Sequence, residues 1–514
     1  MFPLLSKPYF PILLIVSAGF LLYLPGINVQ RYGDDIQLIL SSPPLNPFYF
    51  FFNTHPSTWY RPLEFNFEAV TQRVFGLTTI PVHIAGIFSH LLLVAIIYSF
   101  ALRLGFKKIQ ATLAAAFFLF SQANVHPVTS NDTLSQVWSA LFGFLSIYFL
   151  YNYLNPATLP DLSQRQKPSA FFSSLLRTTY YPLLTGFLSL LAFAMALLSK
   201  EAAIAFLPII FSFIIFYPSL LATAKSEGRM YERLKQVFIQ IAPYLLIAVL
   251  YLLIRANFSS MPPSFGPGRY QFHLGLNILQ NFAQLLFAMF VPISSVTAFV
   301  TLASREWLGF LATACVTIIL FALTVWGASR AKNGGLMRLL GASAILAFFP
   351  IILLNHVSEL HVYNIMPFVA IILGVAFGEI WEICKINKVL RVIFIAIIAL
   401  LFASNIYAVE AKLALMKQSG ERTTFIMAQL GIYASNLPQG AEVFLLNPPA
   451  KEIEYSVFIT RGFNILENTD DVRRLLDRAD LKMKIVETSD LPKLEKGSIV
   501  FSIDEDGRIS RVQN

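Results

Sequence analysis

The sequence predicts a polytopic α-helical membrane protein with a small soluble α/β domain at its C-terminal end. Of its 514 residues, 56% are hydrophobic and only 13% are charged, about half the charged share of soluble chains. Apolar runs that are long enough to cross a hydrocarbon core of about 30 Å recur along roughly the first 410 residues. The chain therefore divides into a transmembrane domain, residues 1–409, and a C-terminal domain, residues 410–514.

About eleven apolar segments have the length and composition of membrane helices. They lie at residues 8–28, 81–103, 109–125, 133–153, 181–198, 202–220, 237–255, 306–328, 339–355, 362–383 and 390–409. The first lacks a small-residue cleavage site, so we expect a retained first span rather than a removed signal peptide. A further apolar stretch, 276–300, contains Asn and Gln residues and Pro292, and we expect a re-entrant or interfacial helical piece there.

Basic loops predict the orientation of the chain. The net charge is +9, and Lys and Arg cluster in short loops between apolar segments, as in cytoplasmic loops, rather than forming a nucleic-acid surface. All five basic loops fall on one side if residues 276–300 do not cross. We therefore expect a cell-membrane protein whose N-terminus is inside and whose C-terminal domain is extracytoplasmic. The outer loops 29–80 and 257–305 would form part of a site.

The C-terminal domain differs in pattern from the rest of the chain. Apolar runs shorten to strand length at Glu442–Leu446 and Ser498–Ile503, and the charged stretch Asp470–Ala479 between them has apolar residues at helical spacing. This alternation predicts a small α/β domain. The two cysteines, Cys315 and Cys384, lie in or beside apolar segments, so neither a disulfide framework nor a metal cluster is predicted.

The most informative polar feature is the adjacent pair Asp34 and Asp35, directly after the first apolar segment. A carboxylate at a bilayer edge can accept a proton, hold a metal or orient a polar substrate. Two close carboxylates resist joint ionisation, so one of them titrates at a raised pH. The alternative is a solvated pair that caps a helix. The pair predicts a catalytic base at the lipid–water boundary.

Other polar residues emerge on the same expected face from separate segments, as a composite site requires. Guanidinium and ammonium groups suit phosphate at a membrane surface, and the candidates of this kind are Arg61, Lys200, Arg255 and Arg269. The supporting candidates, each of which also has a structural interpretation as a cap, an ion pair or a satisfied polar residue, are His126, Asp132, Glu201, Glu359, His361 and Tyr363. For Arg61, the alternative is an interfacial anchor beside Trp59 and Tyr60.

Taken in order along the chain, these motifs resemble the GT-C glycosyltransferases that use lipid-phosphate sugars. The likeness is strongest to the protein O-mannosyltransferase-like group, especially the transmembrane enzymes that carry tetratricopeptide repeats. The residues that carry the resemblance are Gly33-Asp34-Asp35, Tyr60-Arg61-Pro62-Leu63, Val82-His83, His126-Pro127-Val128, Leu198-Ser199-Lys200-Glu201, and Glu359 with Tyr363 before Pro367.

The resemblance implies a polyprenyl- or dolichyl-phosphate sugar as donor and an acidic residue of the first outer loop as catalytic base. Asp34 or Asp35 would be that base, and Arg61, Lys200 and Arg269 would be candidates for the donor phosphate. Two departures stand out: Asn131-Asp132-Thr133 replaces an expected Arg-Asp pair, and the repeats are missing. No cofactor beyond the donor is assigned. A requirement for a divalent metal ion is left as an open alternative, and no residues are assigned as its ligands. The implied partners are membrane lipids, the lipid-linked donor and a protein or glycan acceptor.

The sequence thus predicts an integral-membrane glycosyltransferase that acts on an acceptor hydroxyl at the extracytoplasmic face. The alternative is a transporter or flippase of lipid-linked glycans, which should place ionisable residues at mid-span and contain discontinuous helices near the midplane. Here the ionisable residues gather at the ends of the apolar segments. The presence of both aspartates argues against a third alternative, a non-catalytic assembly factor.

Overall fold

The computed structural model describes residues 10–40, 42–55, 59–155, 181–216, 230–258, 271–355, 357–447, 462–466, 468–493, 498–504 and 506–512. Over these residues the chain is mostly helical, and a four-stranded sheet lies near its C-terminal end. The predicted fold class, a polytopic helical protein with a small α/β domain, is confirmed.

The described residues contain a series of α-helices. In chain order they are α1 Phe10–Tyr23, α2 Pro62–Phe75, α3 Ile80–Arg103, α4 Lys108–Phe120, α5 Val125–Thr129, α6 Leu134–Leu154, α7 Tyr181–Ser199, α8 Phe206–Phe216, α9 Met230–Phe258, α10 Asn277–Phe290, α11 Ser295–Ala303, α12 Trp307–Ser329, α13 Gly334–Leu346, α14 Met366–Cys384, α15 Lys388–Ser435 and α16 Thr469–Leu475.

Among the described residues, eight helical stretches are long and apolar enough to cross a membrane, which makes this a multi-pass membrane protein. They are Phe10–Asn28, Ile80–Arg103, Asn131–Leu154, Pro182–Ser199, Leu234–Phe258, Trp307–Ser329, Met366–Cys384 and Lys388–Ser435. The other three expected spans contain shorter apolar helices, Lys108–Phe120, Glu201–Phe216 and Gly334–Leu346.

The segment expected at 109–125 shows why such a span is short. Its helix, α4, ends at Phe120, after 13 residues or about 20 Å. The backbone then forms the 3-10 turn Gln122–Asn124 and the single short helix α5. The polar residues that follow α5 belong to the candidate site, so the chain leaves the helical repeat where it begins to build that site.

The stretch 276–300 is divided between two short helices, α10 and α11. Pro292 lies in the break between them, where its missing N–H cannot continue the hydrogen bonding of α10. Neither helix is among the eight long enough to cross on its own.

The sheet has the strand order β2-β1-β3-β4, with β1 Glu442–Asn447, β2 Lys482–Glu487, β3 Ile499–Ile503 and β4 Ile509–Val512. β1 runs parallel to β2 and β3, while β4 is antiparallel to β3. The predicted strands at Glu442–Leu446 and Ser498–Ile503 coincide with β1 and β3. The 48-residue helix α15 leads from the transmembrane segments to this sheet without a break.

Candidate active site

The turn that carries the two adjacent aspartates gives their side chains different surroundings. Gly33 begins the 3-10 turn Gly33–Leu38 with a φ of 55°, in the left-handed region that favours glycine. Asp35 is 1% exposed, whereas Asp34 is half-buried and accepts a hydrogen bond from Gln37 Nε2 at 3.0 Å. Of the two predicted carboxylates, Asp35 is therefore the one that the protein encloses.

Asp35 is held by the short loop between α5 and α6. Its Oδ1 accepts a hydrogen bond from the Asp132 backbone N at 3.0 Å and lies 3.2 Å from Ser130 Oγ. Its Oδ2 accepts from Asn131 Nδ2 at 2.8 Å, and from the Tyr32 backbone N at 3.4 Å. The structure thus brings Asp35 and the predicted Asp132 together, 97 residues apart in the chain.

Asp132 supplies a second carboxylate, half-buried, beside Asp35. Ser130 Oγ lies 2.8 Å from Asp132 Oδ1 and 3.2 Å from Asp35 Oδ1. A hydroxyl has one proton to donate, and the shorter distance directs it to Asp132, which leaves one lone pair of Asp35 Oδ1 open. Burial, and next the charge of Asp132, raise the pKa of Asp35 to about 8, against the hydrogen bond from Asn131. A carboxyl group with this pKa suits a general base at neutral pH.

Arg61 lies at the start of α2, before Pro62, with a side chain that is 14% exposed. Its Nη2 and Nε donate to the two carboxylate oxygens of Glu201 at 3.2 and 3.4 Å. The guanidinium also lies over the Trp59 ring, 4.9 Å from its centroid. Arg61 is therefore anchored on both sides, and one edge of its guanidinium is engaged by Glu201.

Glu64, one turn further along α2, is fully buried. Its Oε1 accepts a hydrogen bond from the Ser135 backbone N at 2.7 Å, at the first turn of α6, where the helix dipole favours negative charge. Its Oε2 is 4.0 Å from Arg61 Nη1. Burial raises the pKa of Glu64 to about 7, although the charge of Arg61 and the bond from Ser135 act in the opposite direction.

Lys200 is a buried cation that has no direct partner among the described residues. It lies in extended conformation between α7 and the 3-10 turn Glu201–Ala205, and it is 8% exposed. Within the described part of the chain, no carboxylate oxygen lies within 4.0 Å of its ammonium and no side-chain hydrogen bond forms. Burial, and next the charge of Arg61, lower the pKa of Lys200 to about 8. An unpaired buried cation is costly, so this position is suited to an anionic ligand.

Arg255, near the C-terminal end of α9, approaches the same group from another helix. Its Nε is buried and has no hydrogen-bond partner among the described residues. The charges of Arg61, Arg255 and Lys200 all act on the Glu201 carboxylate. Three of the four predicted phosphate-binding residues are therefore gathered around one glutamate.

The acidic and basic groups form one electrostatic cluster. The charge of Asp132 acts on Asp35 and Glu64, and also on Arg61 and Lys200. Asp132 is therefore close enough to influence both the carboxylate side of the cluster, centred on Asp35, and its cationic side, centred on Lys200. Such a site can both accept a proton and hold an anion.

Glu359 has a partner that the sequence analysis did not identify. Lys412 Nζ on α15 donates to the two oxygens of Glu359 at 2.7 and 2.6 Å, and both side chains are at most 1% exposed. Lys412 also donates to the Gln122 carbonyl oxygen at 3.2 Å and to Ser295 Oγ at 3.1 Å. Glu359 is thus part of a buried ion pair that joins α15, α11 and the turn after α4.

His126 lies within electrostatic range of both this ion pair and the cluster. It is 3% exposed. Burial lowers its pKa, while the charges of Asp132 and Glu359 act in the opposite direction. A neutral imidazole here can donate from one ring nitrogen and accept at the other.

His361 and Tyr363 are placed apart from Asp35 by their contacts. His361 Nδ1 accepts from the Ser358 backbone N at 3.1 Å, so this ring closes its own 3-10 turn. Tyr363 is fully buried, and its hydroxyl lies 2.8 Å from His90 Nδ1 in the helical core. Arg269, the fourth predicted phosphate ligand, lies outside the described residues.

The structure adds Ser130, Asn131, Glu64 and Lys412 to the predicted site residues. Glu64 has a sequence signal, because it follows Arg61 by three residues at a predicted helix start. Asn131 lies in a segment that the sequence analysis singled out only as a departure from a family pattern. Among the described residues no group of three His, Cys, Asp or Glu side chains is arranged to hold a metal ion.

Comparison with known proteins gives matches in structure only. No protein-family model matches the chain, and no curated protein matches its sequence. Among solved structures, the chain is similar to ArnT from Cupriavidus metallidurans bound to undecaprenyl phosphate, with a TM-score of 0.46 and 14% identity, over 96% of this chain and 93% of ArnT.

A second similar structure is the archaeal oligosaccharyltransferase AglB from Archaeoglobus fulgidus, in complex with an inhibitory peptide and a dolichol-phosphate. Its TM-score is 0.47 at 12% identity, and the match covers 92% of this chain but only 64% of AglB. At these identities the likeness concerns the fold alone.

Proposed function

We propose that this protein is an integral-membrane glycosyltransferase. It transfers a sugar from a polyprenyl-phosphate carrier to an acceptor hydroxyl on the extracytoplasmic face. The observation that carries this proposal is that a buried carboxyl group, Asp35, and a buried cation, Lys200, which has no partner among the described residues, both lie within electrostatic range of Asp132. A proton acceptor and an anion-binding group are the two functions that transfer from a phosphate-linked sugar requires.

The reaction is a single displacement at the anomeric carbon. The acceptor oxygen forms a bond to that carbon while the bond from the carbon to the phosphate oxygen breaks, with inversion. The electron pair of the broken bond stays on the phosphate, and the hydroxyl proton passes to Asp35. The open lone pair of Asp35 Oδ1 is the receiving position, because Ser130 directs its own proton to Asp132.

The cationic side of the cluster stabilises the leaving group. A sugar phosphodiester carries one negative charge, and the departing polyprenyl phosphate gains a second. Lys200 and Arg255 have donors without protein partners among the described residues, so they are available to the phosphate oxygens. Arg61 adds positive charge beside them while Glu201 keeps its guanidinium oriented. Donors fixed in a dry site stabilise developing charge without reorganisation.

Two finer features of the proposal come from the sequence resemblance. A mannose-type donor and a protein acceptor are the expectation from the O-mannosyltransferase-like motifs. Because the C-terminal domain stands in place of the tetratricopeptide repeats, a glycan or lipid acceptor is expected equally. Membrane lipids and the lipid-linked sugar are the required partners in either case.

The experiment compares Asp35→Asn with Asp34→Asn, its immediate neighbour. Both remove one carboxylate from the same turn, but only Asp35 is enclosed by the loop before α6. Purified protein in vesicles is given polyprenyl-phosphate sugars of several kinds, and acceptor glycosylation is followed by mass spectrometry. We expect Asp35→Asn to lower transfer by about 10²–10⁴-fold, the usual contribution of a positioned base, and Asp34→Asn to leave it within a few-fold of the wild type.

The same vesicles distinguish the alternative function. A flippase would move the lipid-linked sugar between leaflets without consuming it. Movement of intact donor with no new glycosidic bond, equal in the wild type and in Asp35→Asn, would overturn the proposal.

A further inference from the structure

One residue of the first outer loop belongs to the core of the C-terminal domain. Ile36, directly after Asp35, is 2% exposed and packs in a hydrophobic cluster that otherwise consists of residues from α15 onward. Its companions in that cluster include Leu430, Val443, Phe463, Leu466, Val472 and Phe501. The 3-10 turn Gly33–Leu38 packs against the turn Gly462–Leu466 and against α16. The hydrophobic core of the C-terminal domain therefore includes a side chain of the transmembrane domain.

A second contact lies just before this turn. Gly420 of α15 faces the backbone of Gln30, and a Cβ at position 420 would meet the Gln30 carbonyl oxygen at 2.5 Å. Only glycine allows the two backbones to approach so closely. The long helix and the C-terminal core thus both contact the segment from Gln30 to Ile36.

The turn is also held by the loop before α6. Asp35 receives hydrogen bonds from Asn131 Nδ2 and from the Asp132 backbone N. The turn itself is short, closed by the Asp35 N–H to the Tyr32 carbonyl at 3.2 Å and the Ile39 N–H to the Ile36 carbonyl at 3.2 Å. Asp35 and Ile36 are consecutive in one tight turn, so a shift of either side chain moves the other.

We propose that the C-terminal domain positions the catalytic turn, and that Ile36 is the positioning residue through which it acts on Asp35. This inference rests on the proposed function of Asp35. In this proposal the domain acts on the turn and not on the reacting atoms. It fixes the turn so that the carboxylate meets the loop before α6, and misplacement of a reacting group by about 1 Å can cost about 10²-fold in rate.

The test compares Ile36→Ala with Ile36→Val and with a matched control, Ile509→Ala. Ile509 lies in the same core on β4, where its neighbours are β3 and α15. All three variants trim an aliphatic side chain in one hydrophobic core, but only the first two alter the contact with the catalytic turn. Each full-length variant is assayed for transfer and for hydrogen exchange of the backbone amides in residues 31–40.

We expect Ile36→Ala to lower kcat by about 10²-fold with the KM for the lipid-linked donor within about twofold, and Ile36→Val to restore most of the rate. Exchange in residues 31–40 should quicken in Ile36→Ala and not in Ile509→Ala. Equal transfer rates in Ile36→Ala and Ile509→Ala would overturn the inference and leave the proposed function standing. If the wild type transfers no sugar, the proposed function fails, and the exchange comparison alone decides whether Ile36 holds the turn.

Discussion

Replacement of Lys200 by methionine should stabilise the unliganded protein while it abolishes transfer. Lys200 is 8% exposed and its pKa is lowered from 10.5 to about 8. This difference corresponds to a cost of about 3 kcal/mol for keeping the ammonium charged inside the folded protein. Below pH 8 the folded protein carries this full cost. The cost decreases as pH rises from 8 towards 10.5, because the folded protein then releases the proton first.

Methionine has a similar length and no charge, so it removes the cost with little change in packing. We expect the melting temperature of the detergent-solubilised protein at pH 7 to rise by several degrees. The matched control is Lys417→Met, which removes an exposed lysine on α15 whose ammonium lies 3.8 Å from Glu421. Exposed pairs of this kind contribute at most about 1 kcal/mol, so this control should change neither stability nor transfer appreciably.

Addition of the donor should reverse the order of stability of the wild type and Lys200→Met. Polyprenyl phosphate that binds only the folded protein raises its stability by mass action. It should therefore stabilise the wild type and have little effect on Lys200→Met. A Lys200→Met protein that melts below the wild type without donor, or that still transfers sugar at the wild-type rate, would refute the interpretation of Lys200 as an unpaired cation kept for phosphate.

Two further predictions concern pH dependence and the buried ion pair. Because Asp35 must be ionised to accept a proton and its pKa is raised to about 8, kcat/KM should rise with pH up to about 8. It should fall above that pH as Lys200 loses its charge, and Lys200→Arg should remove the falling side. A rate that is constant from pH 5 to 9 would contradict both assignments. Lys412→Met should destabilise the protein by about 3–5 kcal/mol, because it leaves Glu359 buried and unpaired. The double variant with Glu359→Gln should recover most of this loss in thermal unfolding, whereas additive losses would show that the two side chains are not coupled.

The hydropathy pattern was sufficient to predict the fold class, because the bilayer constrains a spanning segment to be long, apolar and helical. The C-terminal strands were found for a similar reason, since short apolar runs between charged residues are typical of a small sheet. The lengths of individual helices were harder to predict. The apolar run at 109–125 continues past the point where α4 ends. A turn is favoured there because Gln122 donates to the distant Ala288 carbonyl oxygen and Asn124 donates back to the Phe118 carbonyl oxygen.

The site was only partly predictable because its contacts are made across the chain. Nothing in the sequence indicates that Asp35 faces the protein while Asp34 faces Gln37; a 3-10 turn decides this. Lys412 is a clearer case. In sequence it is a lone lysine just after the last apolar segment, where a basic residue ordinarily faces water. Its burial against Glu359 depends on how α15 packs, which a sequence pattern does not record.

The unbroken length of α15 has a consequence for how the two ends of the molecule are related. Forty-eight residues at about 1.5 Å each give a rod of about 72 Å, more than twice the thickness of a hydrocarbon core of about 30 Å. A rigid helix fixes both the distance between its two ends and their relative rotation about the helix axis, whereas a flexible linker fixes neither. The number of residues in α15 therefore sets the distance between its lipid-embedded part and the sheet. Each residue added or removed would rotate one end of the helix relative to the other by about 100° about the helix axis.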